Sequence, residues 1–189
     1  MAPALRVSAQ DTALVLVDIQ DRLASAMPAE AFAAMTRNIV TLVAAAARLN
    51  LPVLVSEQYP RGLGRTIPVL REALGKLQQA AIYLEKDAFS LADEPLAQSF
   101  LGHGKRTLVM VGVETHICVY QSARELSRRG YAVHVPVDAV ASRTEDNHRI
   151  GVDLIARSGG VPTSTETVVF DLLERAGTED FKALSRLVK

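Results

Sequence analysis

Cys118 is the only thiol in this chain, so no intramolecular disulfide holds its fold. Neither sign of charge predominates: the formal net charge is zero, and the lysines and arginines are scattered. That balance favours neither a nucleic acid nor an anionic membrane surface over a small-molecule or protein partner, and of these a small-molecule substrate is expected. No apolar run approaches the length of a bilayer span, and the opening residues MAPALRVSAQDT lack an apolar signal core. A soluble, cytoplasmic protein is expected. The four histidines, His103, His116, His134 and His148, lack the close spacing of a zinc site. His134 reads as a packed strand residue and His103 as a turn residue between glycines. His116 stands two positions before Cys118, a spacing that does not put both side chains on one helical face, which argues against a cysteine–histidine dyad. A Gly-x-Ser-x-Gly elbow is missing, which argues against a serine hydrolase. Ser99 stands where a phosphate loop ending at Lys105 needs glycine, and Gly62-Leu63-Gly64 lacks the third glycine of a dinucleotide fingerprint. Both stretches read as turns.

The 189 residues, 49% of them hydrophobic, suffice for one substantial core, and no linker divides them. One domain over 1–189 is expected. Ala13 to Asp18 is a continuous apolar run ended by a carboxylate, the pattern of a strand buried on both faces. A helix from Ala29 to Leu49 follows, with Phe32, Met35, Ile39, Leu42 and Val43 at three- and four-residue spacings. Further strands are expected at Pro52–Ser56, Ile82–Leu84, Thr107–Val111, Tyr131–Val137 and Gly160–Thr163. Helices are expected at Ile67–Leu77, Glu94–Leu101, His116–Gly130, Asp146–Ser158, Thr165–Leu173 and Asp180–Leu187. This alternation predicts a three-layer α-β-α sandwich around an open, mainly parallel six-stranded sheet of Rossmann-like type.

Ligands of such sheets bind beyond the carboxyl ends of the strands. Asp18 ends the first strand, Lys86 follows the third, and Cys118 opens the helix after the fourth. Unpaired amides and the helix dipole at that position favour a thiolate over a thiol. A carboxylate can take the thiol proton, an ammonium can favour both anions, and the thiolate can attack a carbonyl carbon. Taken singly, each residue has a plainer role: a buried apolar cysteine, an aspartate capping a turn, a lysine at a solvated strand end. Cys118 nevertheless shares its helical face with Gln121, Ser122 and Glu125, away from the apolar stripe of Val119, Ala123 and Leu126.

These pieces carry a family resemblance. LVLVDIQ with Asp18, SEQYPRGLGRT from Ser56 to Thr66, EKDAFS with Lys86, VGVETHICV with Cys118, VPVDAVASR from Val135 to Arg143 and TSTET from Thr163 together resemble the isochorismatase-like cysteine hydrolases. The resemblance spans nearly the whole chain and implies the isochorismatase-like hydrolase fold and a triad of Asp18, Lys86 and Cys118. It also implies a cis peptide between Val113 and Glu114, an oxyanion site formed by the amides of Glu114 and Cys118, and a homo-oligomer. Nicotinamidases of that superfamily carry metal-binding histidines in and near a Trp-His-Pro loop, where this chain has Gln58, Tyr59 and Pro60. No metal and no cofactor is expected, and nicotinamide is disfavoured as substrate.

Gln58, Tyr59, Arg61 and Arg65, with Arg143 and Thr144, are candidates to line the mouth and recognise a polar or carboxylate group. The alternative is that the arginines face solvent or a second subunit. Three functions remain open: hydrolysis of a C–N or related acyl bond through a thioester, vinyl-ether cleavage with Asp18 as acid and no thiol, or a binding role without turnover.

Overall fold

The computed structural model describes residues 5–102 and 104–188, so the turn expected at His103 lies outside the described residues. The strands are β1 (Thr12–Val17), β2 (Val53–Gln58), β3 (Ile82–Lys86), β4 (Thr107–Val113), β5 (Ala132–Pro136), β6 (Val140–Ala141) and β7 (Val161–Thr163). They form one parallel sheet in the order β3-β2-β1-β4-β5-β7, with β6 paired to β4. Strand periodicity sends alternate side chains to opposite faces, and the apolar runs supply both. Leu14, Leu16, Val53, Val55, Val109 and Val111 enter one core, while Ala13, Val15, Val17, Leu54, Leu108 and Met110 enter the other.

The first core is covered by α2 (Ala29–Leu49), α4 (Pro68–Leu74), α8 (Thr165–Leu173) and α9 (Glu179–Leu184). The second is covered by α5 (Pro95–Leu101), α6 (Tyr120–Arg128) and α7 (Glu145–Arg157). By length and mean hydropathy alone α2 could cross a bilayer, so the expectation that no segment approaches that length needs correcting. In the fold its Met35, Ile39, Leu42 and Val43 are buried in the core.

Among the described residues the sheet has seven strands, where six were expected. β6, only two residues long, is too short to leave a periodic signature in the sequence. Two short helices also lie in stretches to which the sequence assigned no helix or strand: α1 (Asp21–Ala26), with no buried residue, and α3 (Pro60–Leu63). β4 continues through Gly112 because β1 approaches it there: a Cβ on Gly112 would stand 2.1 Å from the Val17 carbonyl oxygen. Beyond β4, the start of the expected helix is a π turn, Thr115–Val119, which runs into α6. Such turns are frequent at functional sites.

Candidate active site

Asp18 follows β1 in a left-handed conformation (φ 53°), one that aspartate tolerates better than most residues. Lys86 ends β3, two strands away across β2. Bridging that interval, roughly 10 Å at the usual strand spacing, takes the long lysine stem together with the aspartate side chain. Their charged ends meet at 2.7 Å, and neither side chain is exposed. The Lys86 ammonium also donates to Gln58 Oε1 at 2.7 Å and lies 3.1 Å from the carbonyls of Ala88 and Phe89. Buried charge is tolerable only with such complete pairing. The second carboxylate oxygen of Asp18 accepts a 2.6 Å hydrogen bond from Ser56.

Cys118 sits in the π turn, 7% exposed, with its thiol in hydrogen-bonding reach of Asp18. The sequence suggested a stabilised thiolate, but the surroundings act the other way. Burial, and next the negative charge of Asp18, push the thiol up to about 12, against which Lys86 pulls downward. Burial and that charge both favour the neutral thiol over the thiolate. The Val113–Glu114 peptide is cis. The Glu114 carbonyl accepts from the amides of Ile117 and Val119, passing over that of Cys118 between them.

The turn is backed by α7, where a Cβ on Gly151 would come within 2.7 Å of the His116 nitrogen. His148, also on α7, lies 3.1 Å from the Thr115 hydroxyl, and burial holds its pKa below the ordinary value. His116 bonds Ser142 at 3.0 Å, and His134 is buried on β5. Among the described residues, no three His, Cys, Asp or Glu side chains are grouped to hold a metal ion.

The expected substrate-contacting residues divide. Gln58 is locked into the site through Lys86 and donates to the Asp87 carbonyl at 2.7 Å. Tyr59 and Arg61 are exposed and, with Asp87 and Glu94, line a cavity of about 470 Å³ beside Lys86. Arg65 is not at the mouth with a free charge. Its guanidinium pairs with Glu57 at 2.8 Å and with Glu85. Arg143 pairs with Glu114. Thr144 caps α7, accepting from the Asn147 amide at 3.2 Å, and borders a separate, largely apolar cavity of about 450 Å³ between α2 and residues 137–148.

Ser56, Gln20 and Glu57 had no role assigned from sequence. Gln20 donates to the carbonyls of Gln58 and Gly64, and Glu57 accepts from the amide and hydroxyl of Thr66, so the two pin the loop after β2. The available signal was a run of polar residues, Ser-Glu-Gln, ending an otherwise apolar strand.

The isochorismatase domain family matches residues 12–167. The chain belongs to the isochorismatase family. It is 35% identical to isochorismatase domain-containing protein 1 of Salmo salar over 75% of its own length, and spans about half (48%) of that relative. A solved structure described as the MAR1 ribonuclease of Caenorhabditis elegans is 31% identical, covers 97% of this chain with 92% of its own, and superimposes with a TM-score of 0.88. The Escherichia coli YcaC gene product, described as an octameric hydrolase of unknown specificity, shares the fold at 22% identity and a TM-score of 0.85, with 99% and 92% of the two chains covered. This isochorismatase-family chain thus has the α/β fold of its hydrolase neighbours.

Proposed function

We propose that this chain is a cysteine hydrolase that cleaves a C–N amide or related acyl bond of a small molecule through a thioester at Cys118. The observation that carries the reading is the convergence of Cys118 and Lys86 on the single buried carboxylate of Asp18. Burial and the neighbouring Asp18 charge disfavour the free thiolate at neutral pH. Attack therefore requires Asp18 to take the proton as the C–S bond forms. Lys86 and Ser56 hold that carboxylate in place and leave its role as base to geometry. The amides of Glu114 and Cys118 receive the oxyanion, an interaction in which each donor typically contributes about 2.7–4 kcal/mol. Asp18 then protonates the leaving amine, and a water that it activates cleaves the thioester.

The ribonuclease description of the nematode protein supplies a second reading, RNA cleavage. The exposed Asp87 and the half-buried Glu94 beside Arg61 make the rim of this site unfavourable to a polyanion. Vinyl-ether cleavage needs no thiol, and a binding role needs no turnover. Homo-oligomerisation and a cytoplasmic location belong to the same proposal, the first supported by the octameric fold neighbour.

The test is an amide and ester screen, with an RNA and a vinyl ether included, on wild type and Cys118→Ala. Amide or ester turnover that disappears in the variant supports the reading. Turnover that survives loss of the thiol, or turnover confined to RNA, rejects it.

A further inference from the structure

Glu114 takes no part in the proton transfer between Asp18 and Cys118, yet it is a buried carboxylate immediately before the turn that carries the nucleophile. Burying an acid there is costly unless it is paired. Its partner is Arg143, whose backbone amide donates to one carboxylate oxygen at 3.0 Å and whose Nε lies 3.1 Å from both oxygens. The Glu114 side chain is 8% exposed and that of Arg143 56% exposed, so the buried acid, and not the arginine, sets where the pair sits.

The surrounding backbone agrees. β6 pairs with the end of β4 at Gly112↔Val140 and Val113↔Ala141, which delivers Arg143 to the residue following β4. One residue before Arg143, Ser142 bonds His116, which lies in the π turn that follows Glu114. Glu114 contributes both the anchored carboxylate and an amide of the oxyanion site, so fixing the first limits how far the second can swing. The charged groups that act on the Cys118 sulfur are Asp18, Lys86 and Glu114, and pairing with Arg143 also compensates the last of these.

We infer that Arg143 is a positioning residue: through Glu114 it holds the oxyanion-binding amide in line with the attacking sulfur, and it does not recognise substrate by its charge. This rests on the acyl-transfer reading of the site, and the experiment separates the two.

Acylation of Cys118 by p-nitrophenyl acetate is compared with alkylation by iodoacetamide. In the first, sulfur bonds to the acetyl carbon, the carbon–oxygen bond to nitrophenolate breaks, and the thiol proton passes to Asp18. In the second, sulfur displaces iodide at a saturated carbon and no oxyanion forms. Both need the sulfur to lose its proton, so the ratio of rates cancels the thiol's own reactivity. The ester is uncharged and gives an arginine no carboxylate to bind.

Arg143→Gln is expected to lower that ratio by up to about 100-fold, the loss that misplacing a reacting group by about 1 Å can cause. Arg143→Lys, which keeps the charge and loses the planar fork, is expected to fall between. A ratio unchanged in Arg143→Gln while wild type is acylated overturns the inference alone. Wild type that alkylates but is never acylated overturns the acyl-transfer reading and the inference with it. If Arg143→Gln fails to fold by circular dichroism, Glu114→Gln replaces it: a lowered ratio supports the inference, and a wild-type ratio overturns it.

Discussion

Replacing Asp18 by asparagine should abolish turnover and at the same time make Cys118 more reactive. The thiol is raised from an ordinary 9.0 to about 12, which leaves roughly a thousandth of the thiolate of an ordinary cysteine, an energy of about 4 kcal/mol. Burial is the largest cause, followed by the Asp18 charge, with a further contribution from the hydrogen bond to Asp18. Asparagine removes the charge and leaves Lys86, whose influence runs the other way. The assay is the pH dependence of iodoacetamide alkylation, followed by mass spectrometry, in which the single cysteine gives an unambiguous signal. Wild type should alkylate slowly with no inflection near 9, and Asp18→Asn roughly tenfold faster or more at mildly alkaline pH. Removing one partner of a buried ion pair costs about 3–5 kcal/mol, so retention of the fold is checked first by circular dichroism. A wild-type inflection near that of free cysteine, about 8.5, would refute the argument, as would slower alkylation in a folded Asp18→Asn.

Two further outcomes follow from the packing and electrostatics of the site. Gly151→Ala drives a methyl group into the backbone of Thr115 and His116, so it should destabilise the chain by about 1–3 kcal/mol and lower Tm by about 2–4 °C per kcal/mol, alongside reduced acylation of Cys118. Unchanged melting would show that α7 and the π turn are looser than described. For Glu57, burial raises the carboxyl pKa, but hydrogen bonds from the Thr66 amide, Arg65 and the Thr66 hydroxyl outweigh it and hold the folded value below 4.5. The unfolded chain then binds the proton first as pH falls, so this stabilisation is full above 4.5 and lost as pH falls through the folded value. Glu57→Gln should be less stable than wild type at neutral pH by urea denaturation, with the gap narrowing in acid. A gap constant with pH would refute the assignment.

Local pattern in the sequence was sufficient for the layered fold. Continuous apolar runs at Ala13–Val17 and Thr107–Val111 dictate strands buried on both faces, and the three- and four-residue spacing through Met35, Ile39 and Leu42 dictates a long helix with one apolar face. Strand ends carrying Asp18 and Lys86, and a turn carrying Cys118, place the candidate chemistry at one edge of the sheet, because all strands of a parallel sheet point the same way. Nothing local, however, distinguishes an arginine free to meet a substrate from one already neutralised. Arg65 is taken by Glu57 and Glu85, and Arg143 by a glutamate 29 positions away. β6 stayed hidden because two residues have no period. The largest change concerned the sulfur itself. A helix start after a strand argues for a thiolate, but the thiol's acidity is set by total desolvation and by the nearest charge. Asp18, exactly 100 residues earlier in the chain, becomes its neighbour only when β1 and β4 lie side by side.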